Sequence, residues 1–305
     1  MIPPTTPAST ACQRWTLGRH SWRHLSEGGF DARRFTVDEI PESIARAFVE
    51  GHHYSGTYPA ARLAWGLFTD DETIALDDTG LVGVAVLSVP MRAAVLTNVF
   101  PLLEPFAESL ELGRFVLTDA VPANAESWFI ARVWRRAASA GIRGVVSFAD
   151  PMPRHRTVTD VDEDGELRTR TEIVTPGHCG VVYQATSALS LGRSTARTLN
   201  YVPRAGLVLS ERTLSKIRTG EPGADAGERH LIALGARPRR AGEEPRAWLR
   251  EALVDVGVRK IRHPGNHRYA WPLGTARQRR QQLIALERTA YPKAARDLMP
   301  AIATR

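Results

Sequence analysis

The stretch that decides the fold is residues 111–150, ELGRFVLTDAVPANAESWFIARVWRRAASAGIRGVVSFAD. Glu111–Thr118 has the apolar content of a buried strand, and Pro122-Ala123-Asn124 is loop chemistry. Trp128, Phe129, Ala131, Val133, Trp134 and Ala138 then recur at helical spacing, and Gly141 ends the run. Gly144–Ala149 is a second short apolar strand, stopped by Asp150-Pro151. Strand, loop, helix, strand is the unit that sets two strands parallel. A helix whose first turn follows a strand end presents free N–H groups and a positive dipole end, suited to a phosphate or to a carbonyl oxygen gaining charge.

Working outward, Val37–Glu50 reads as a helix with Pro41 in its first turn and Gly51 closing it. The polar run His52-His53-Tyr54-Ser55-Gly56-Thr57-Tyr58-Pro59 follows. Leu63–Asp70 and Leu81–Pro90 read as antiparallel strands joined by a turn at Asp77–Gly80. Arg154–Val174 reads as an inserted hairpin. Its tip, Asp160, Asp162, Asp164 and Gly165, imitates a calcium loop, but Thr171 stands where such a loop needs a bidentate Glu, so a solvated tip is expected. Gly180–Ala185 reads as a strand entering a short helix, and Thr198–Leu209 as a further strand. After Ser210, short Arg-rich helices are expected at 215–218, 228–235 and 245–256, then a basic-aromatic run over 260–271 and a basic helix or tail from 277.

Composition bounds the partners. Forty Lys+Arg against 33 Asp+Glu leave the chain at +7, and only Lys216, Lys260 and Lys293 of those cations are lysines. Arginine forks onto phosphate, so a polyanionic partner is favoured. Two cysteines, Cys12 and Cys179, exclude a disulfide framework and a zinc ribbon. MIPPTTPAST has no apolar leader core and no run of 18 apolar residues follows, so a soluble cytoplasmic protein without membrane partners is expected.

Several side chains carry chemistry. His52, His53 and Tyr54 offer a general base or metal ligands, though no HExxH or CxxC spacing supports a metal. Arg114 lies within a buried strand and must be paired, with Glu111 at hand, or face a site. Asp150 closes a central strand, where open sheets bind ligands and where a carboxylate can deprotonate an amine. Tyr183 could donate its hydroxyl to a leaving group or sit in the core. Cys179 beside His178 is a weak nucleophile pair, since strand neighbours face opposite ways.

Taken together, HHYSG at 52–56, ELGRFVL at 111–117, NAESWFIAR at 124–132, SFADP at 147–151 and GHCGVVYQA at 177–185 resemble the Mom family of phage DNA-modification proteins. TLSKIR at 213–218 and HRYAW at 267–271 extend the likeness. The resemblance implies a fold related to the GCN5-type N-acyltransferases (GNAT). That is an α+β class with a mixed, largely antiparallel central sheet flanked by helices, here with the inserted hairpin and a small basic helical module. It implies conversion of adenine in DNA to N6-carbamoylmethyladenine as protection against restriction. It places His53, Tyr54, Arg114, Asp150 and Tyr183 in the active site, and implies iron, with His52 and His53 the candidate ligands.

The usual acyl-CoA pyrophosphate signature is missing; PANAES stands at 122–127. The activated acyl donor is therefore left open between glycyl-tRNA and acyl-CoA, with Arg114, Asn124 and Ser127 expected to hold it. Double-stranded DNA is the expected substrate and tRNA a candidate partner. Lys216, Arg218, Arg268 and Tyr269 are expected to hold phosphates and stack on bases. The expected domains are an N-terminal arm over 1–30, a catalytic core over 31–209 with the hairpin at 154–174, a DNA-contacting segment over 210–275, and a tail over 276–305. An acyl-CoA-dependent N-acyltransferase of small amines and a non-catalytic DNA-binding module are the competing readings.

Overall fold

A computed structural model describes residues 29–53, 55–122, 124–161 and 164–293, with the backbone of 10–16 and 19–24. In chain order the elements are β1 (Thr10–Thr16), β2 (Arg19–His24), β3 (Phe35–Glu39), α1 (Glu42–His52), β4 (Ala61–Thr69), β5 (Leu81–Ser88), α2 (Ala94–Thr97) and β6 (Ser109–Leu117). There follow α3 (Ala125–Ser139), β7 (Gly144–Ala149), β8 (Arg154–Val161), β9 (Leu167–Thr175), α4 (Val181–Ala185), β10 (Leu189–Arg193), β11 (Arg197–Val202) and β12 (Leu207–Leu209). The chain then runs through α5 (Glu211–Thr219), α6 (Ala224–Ala233), α7 (Pro245–Asp255), β13 (Arg259–His263), β14 (His267–Pro272) and α8 (Ala276–Gln281).

By compactness the chain divides into two units: residues 1–150, 178–193 and 266–305 in one, 151–177 and 194–265 in the other. These limits fall away from the expected boundaries at 209 and 275. The reason lies in strand pairing. β14 hydrogen-bonds onto β7 and β10 onto β14, so both belong to the first unit's sheet although they are distant in sequence.

The first unit is α+β. Its sheet has the order β10-β14-β7-β6-β5-β4-β3, and β6–β7 is its parallel pair. α3 is amphipathic: Ala125, Phe129, Ile130, Val133 and Ala137 are its buried residues, and Phe129, Val133 and Ala137 pack with Leu110, Leu112 and Leu117 of β6. Gly141, at φ 94, ends α3 as read from the sequence, and Ile142 N–H returns to Ala137 O at 2.9 Å. α1 covers the other face through Ala45, Phe48 and Val49 against Val84, Val86 and Val116.

Three local expectations are corrected. Val37 lies in β3, not in a helix. Ile40 precedes a proline, which biases it away from helical backbone, so α1 starts only after its cap at Pro41. Gly51 sits inside α1, which ends at His52. Tyr183 is on helix α4, because Gly180 takes a left-handed φ of 78 and turns the chain out of extended geometry.

The second unit holds a three-stranded antiparallel sheet, β12-β11-β13, the β8–β9 hairpin, and α5–α7 around Val202, Leu214, Ile217, Leu231 and Trp248. The strand expected over 198–209 is two strands, parted by a turn that ends at Gly206 with φ 65. Residues 10–24, expected as an arm, carry the β1–β2 hairpin in their backbone. No helix among the described residues is long and apolar enough to cross a membrane.

Candidate functional site

Strands β6 and β7 pair only over Ser109–Glu111 and Gly144–Val146. Beyond that they part, and the buried Ser147 hydroxyl, not a ladder bond, reaches Leu112 O at 3.1 Å. A splayed parallel pair leaves backbone groups unclaimed by the ladder and opens the sheet at the C-terminal end of β7.

On its other side β6 carries a bulge. Val86 pairs with Arg114 and Leu87 with Leu112, so Gly113 is the extra residue. Side chains alternate faces along a strand, and one extra residue reverses the alternation. Leu110 and Leu112 face α3, and so do Phe115 and Leu117 beyond the bulge. Glu111, Arg114 and Val116 therefore share the α1 face. Without the bulge Arg114 would point into the α3 core.

Arg114 is held at its new aim. Its Nε donates to Thr57 O at 2.8 Å, one terminal nitrogen to Thr57 Oγ1 at 2.8 Å, and the other to Gly113 O at 2.6 Å. Glu111 is half-buried, and burial pushes its carboxyl above the ordinary value while Arg114 opposes the rise.

His53 caps the C-terminus of α1. Its Nδ1 accepts the Ser55 N–H at 3.1 Å and lies 2.8 Å from Ser55 Oγ. A backbone N–H can only donate, so the ring proton sits on Nε2. Burial, then Arg114 and His178, pull the imidazole down to about 3. His53 is thus neutral near pH 7 and offers an N–H. Its Nδ1 lone pair is engaged by the Ser55 N–H.

Asp150 follows the last residue of β7, and its carbonyl accepts the His178 N–H at 2.7 Å. His178 is exposed, yet crowding lowers its pKa, with Asp150 acting upward and His267 downward. The His178 ring centre lies 6.4 Å from that of Tyr183. Tyr183 is 8% exposed and packs edge-on to Tyr269 and Trp271 at 5.3 and 5.4 Å. The charge couplings thus run from Arg114 through His53 and His178 to Asp150 at one edge of the sheet.

Other expected residues fare differently. Tyr54 lies outside the described residues. Asn124 caps α3 in left-handed backbone (φ 75) without a side-chain cap bond, and Ser127 Oγ donates to Asn124 O at 3.1 Å. Glu126 stands in the first turn of α3. His52 is exposed with its ring 4.5 Å from Phe48, and no three His, Cys, Asp or Glu among the described residues come together as metal ligands. The residues around His52 and His53 therefore do not fit the iron that the resemblance implies. Cys179 is buried.

The expected base-stacking role of Tyr269 is overturned. It is fully buried, and its hydroxyl donates to Cys179 O and accepts from Gln184 Nε2. Arg268 is half-buried, 6.0 Å from the Phe148 ring centre. Lys216 and Arg218 lie on α5 in the second unit, Lys216 half-buried and Arg218 exposed. Sequence reasoning weighed His178 only as a partner for Cys179 and missed it as a site residue. The turn GHCG is the one local signal, and nothing in it announces Asp150.

No curated protein matches the chain in sequence. Among solved structures, a CoA-dependent acyl-homoserine lactone synthase, MesI, is 15% identical at TM-score 0.25, covering 50% of this chain and 95% of its own. A tandem GNAT protein from the clavulanic acid biosynthesis pathway is 13% identical at TM-score 0.26, covering 82% of this chain and 68% of its own. Superpositions this weak decide nothing about chemistry. The sequence model of the Mom protein family matches residues 34–158. The matched segment carries α1, the β3–β7 strands and α3.

Proposed function

We propose that this chain is a transferase that modifies adenine in DNA, delivering an activated acyl group to the exocyclic N6. The match of residues 34–158 to the Mom protein family carries this reading. The arrangement of Asp150, His178, His53 and Arg114 supports it, because each can take a role that amine acylation needs.

His178, held neutral by its surroundings and backed by Asp150, accepts the proton that N6 loses on attacking the acyl carbonyl. His53 Nε2–H and the Arg114 guanidinium are fixed donors for the oxygen that becomes negative, and fixed donors cost no reorganisation as charge develops. Glu111, its carboxyl raised by burial, or Tyr183 returns a proton to the leaving group. The adenine must leave the duplex to reach such a site, so base flipping belongs to the reading.

The expected product, N6-carbamoylmethyladenine, follows if the acyl group is glycyl. Acylation gives N6–CO–CH2–NH2. The glycyl amine then attacks C6 through a five-membered ring, and the C6–N6 bond breaks. The old N6 leaves as a primary amide, giving C6–NH–CH2–CO–NH2. This second step is an isomerisation, and its intramolecular attack gains a large effective molarity. A glycyl-tRNA donor suits a chain of charge +7 that has PANAES where the acyl-CoA signature would stand.

Nucleoside mass spectrometry on DNA from cells expressing the wild type, Asp150→Ala and His178→Ala tests the reading. A carbamoylmethyladenosine peak in the wild type alone supports it. Labelled glycine whose nitrogen is absent from that peak sinks the glycyl route.

A further inference from the structure

The first unit carries a groove of about 1000 Å³, whose Trp271 packs on Tyr183 of the candidate site. Its walls are the C-terminal half of α3, the C-terminal end of β14 and the start of α8, with Trp134 and Trp271 in its lining. Their ring centres are 5.1 Å apart. Arg135, Arg143 and Arg279 also line it, and no Asp or Glu does.

Three guanidiniums that share a groove without a carboxylate repel one another until an anion arrives. Arg143 is pinned, donating to Ala138 O at 2.7 Å and Ile142 O at 3.1 Å, and Arg279 donates to Gly274 O at 3.3 Å. None of the three has a carboxylate partner among the described residues. Carbonyl contacts orient a guanidinium and leave its charge uncompensated. On the same wall the Trp134 indole N–H is buried with no acceptor among the described residues. Arg277 and Arg280, both exposed on α8, carry the positive strip past the groove.

We propose that this groove holds the sugar–phosphate backbone of the DNA substrate beside the target adenine. The inference rests on the function proposed above and assigns that substrate a second surface. The dimensions agree. Arg143 precedes the first residue of β7 and Asp150 follows its last, and strands rise ~3.3 Å per residue, so the Arg143 end of the groove lies about 20 Å from Asp150. A DNA strand advances ~3.4 Å per nucleotide, placing the held phosphates about six nucleotides from the flipped base.

Fluorescence anisotropy of the full chain with a labelled duplex of about 30 base pairs, across a salt series, tests this. Arg135→Ala/Arg279→Ala should weaken binding about ten-fold or more, and lower the slope of log K against log salt by about 2. Arg33→Ala/Arg46→Ala removes the same charge from exposed arginines already paired with Asp31 and Glu42, and should leave the slope nearly unchanged. An unchanged slope in the groove variant overturns the proposal, as does an equal fall in both variants. RNA of the same length that binds more tightly, with the groove variant losing that binding, overturns DNA as the occupant. A wild type with no salt-dependent DNA binding removes the proposed function itself. Binding that survives the groove substitutions removes only the groove.

Discussion

Gly113→Ala tests the reasoning that a single bulge aims Arg114. A Cβ at position 113 would lie 2.2 Å from Ser88 Oγ, 3.1 Å from Ser88 Cβ and 3.3 Å from Pro59 Cγ. Ser88 is 2% exposed and has little room to turn away. Overpacking a tight interior costs roughly 1–3 kcal/mol. For a unit of this size each kcal/mol lowers the melting temperature by about 2–4 °C, so thermal unfolding followed by circular dichroism should show a fall of roughly 2–10 °C. The product peak should fall with it, because any shift that relieves the clash moves Arg114 off Thr57. Ser88→Gly removes both atoms that clash most, at a cost of about 0.5–1 kcal/mol for a strand glycine. The double variant should therefore be more stable than the sum of the singles predicts, with a coupling of about 1–2 kcal/mol. A Gly113→Ala protein that melts with the wild type, or a double variant that is merely additive, refutes the bulge argument.

Other outcomes follow from the same geometry. His53 has a folded-state pKa near 3, below the ordinary histidine value of 6.5, so the unfolded chain binds the extra proton between those values. Its contribution to stability is full above pH 6.5 and is lost as pH falls. Denaturant titrations should show His53→Gln losing about 1–2 kcal/mol less than the wild type between pH 7 and about pH 5, and equal losses would contradict the assignment. Arg114→Lys keeps the charge but not the fork onto Thr57, and should cut modified adenine at least ten-fold with little change in melting temperature. Tyr269→Phe removes one hydrogen bond each from Cys179 O and Gln184 Nε2, which still bond each other, and should cost ~1 kcal/mol while duplex affinity stays unchanged, whereas a fall in affinity would restore its stacking role. His52→Ala should leave the product yield unchanged, and an abolished yield would reopen a metal role at that position.

The legible part of the chain was local. The apolar strand from 111, the helix from 125 and the strand from 144 follow from period and punctuation, because a helix or strand buries one face and its sequence shows the spacing. The parallel pair follows as well, since a helix between two strands leaves them running the same way. Asp150 was legible as a strand end. The family likeness was legible too, in motifs such as HHYSG and ELGRFVL.

Only the tertiary structure decided the rest. One neighbour of β7 comes from the far C-terminal part of the chain, and no period in β14 announces which strand it joins. Which way Arg114 points depends on the bulge, and a bulge is a mismatch between two strands that neither strand shows alone. Tyr269 alternates with basic residues in sequence and reads as an exposed stacking platform, yet its pairing with Ser147 places it in the core. His178 meets Asp150 across the long β8–β9 insertion, and the proton on His53 is placed by a bond from Ser55. Periodicity reports how each segment divides its own faces. A site assembled from four segments depends on contacts between residues far apart in sequence, and those exist only once the chain has folded.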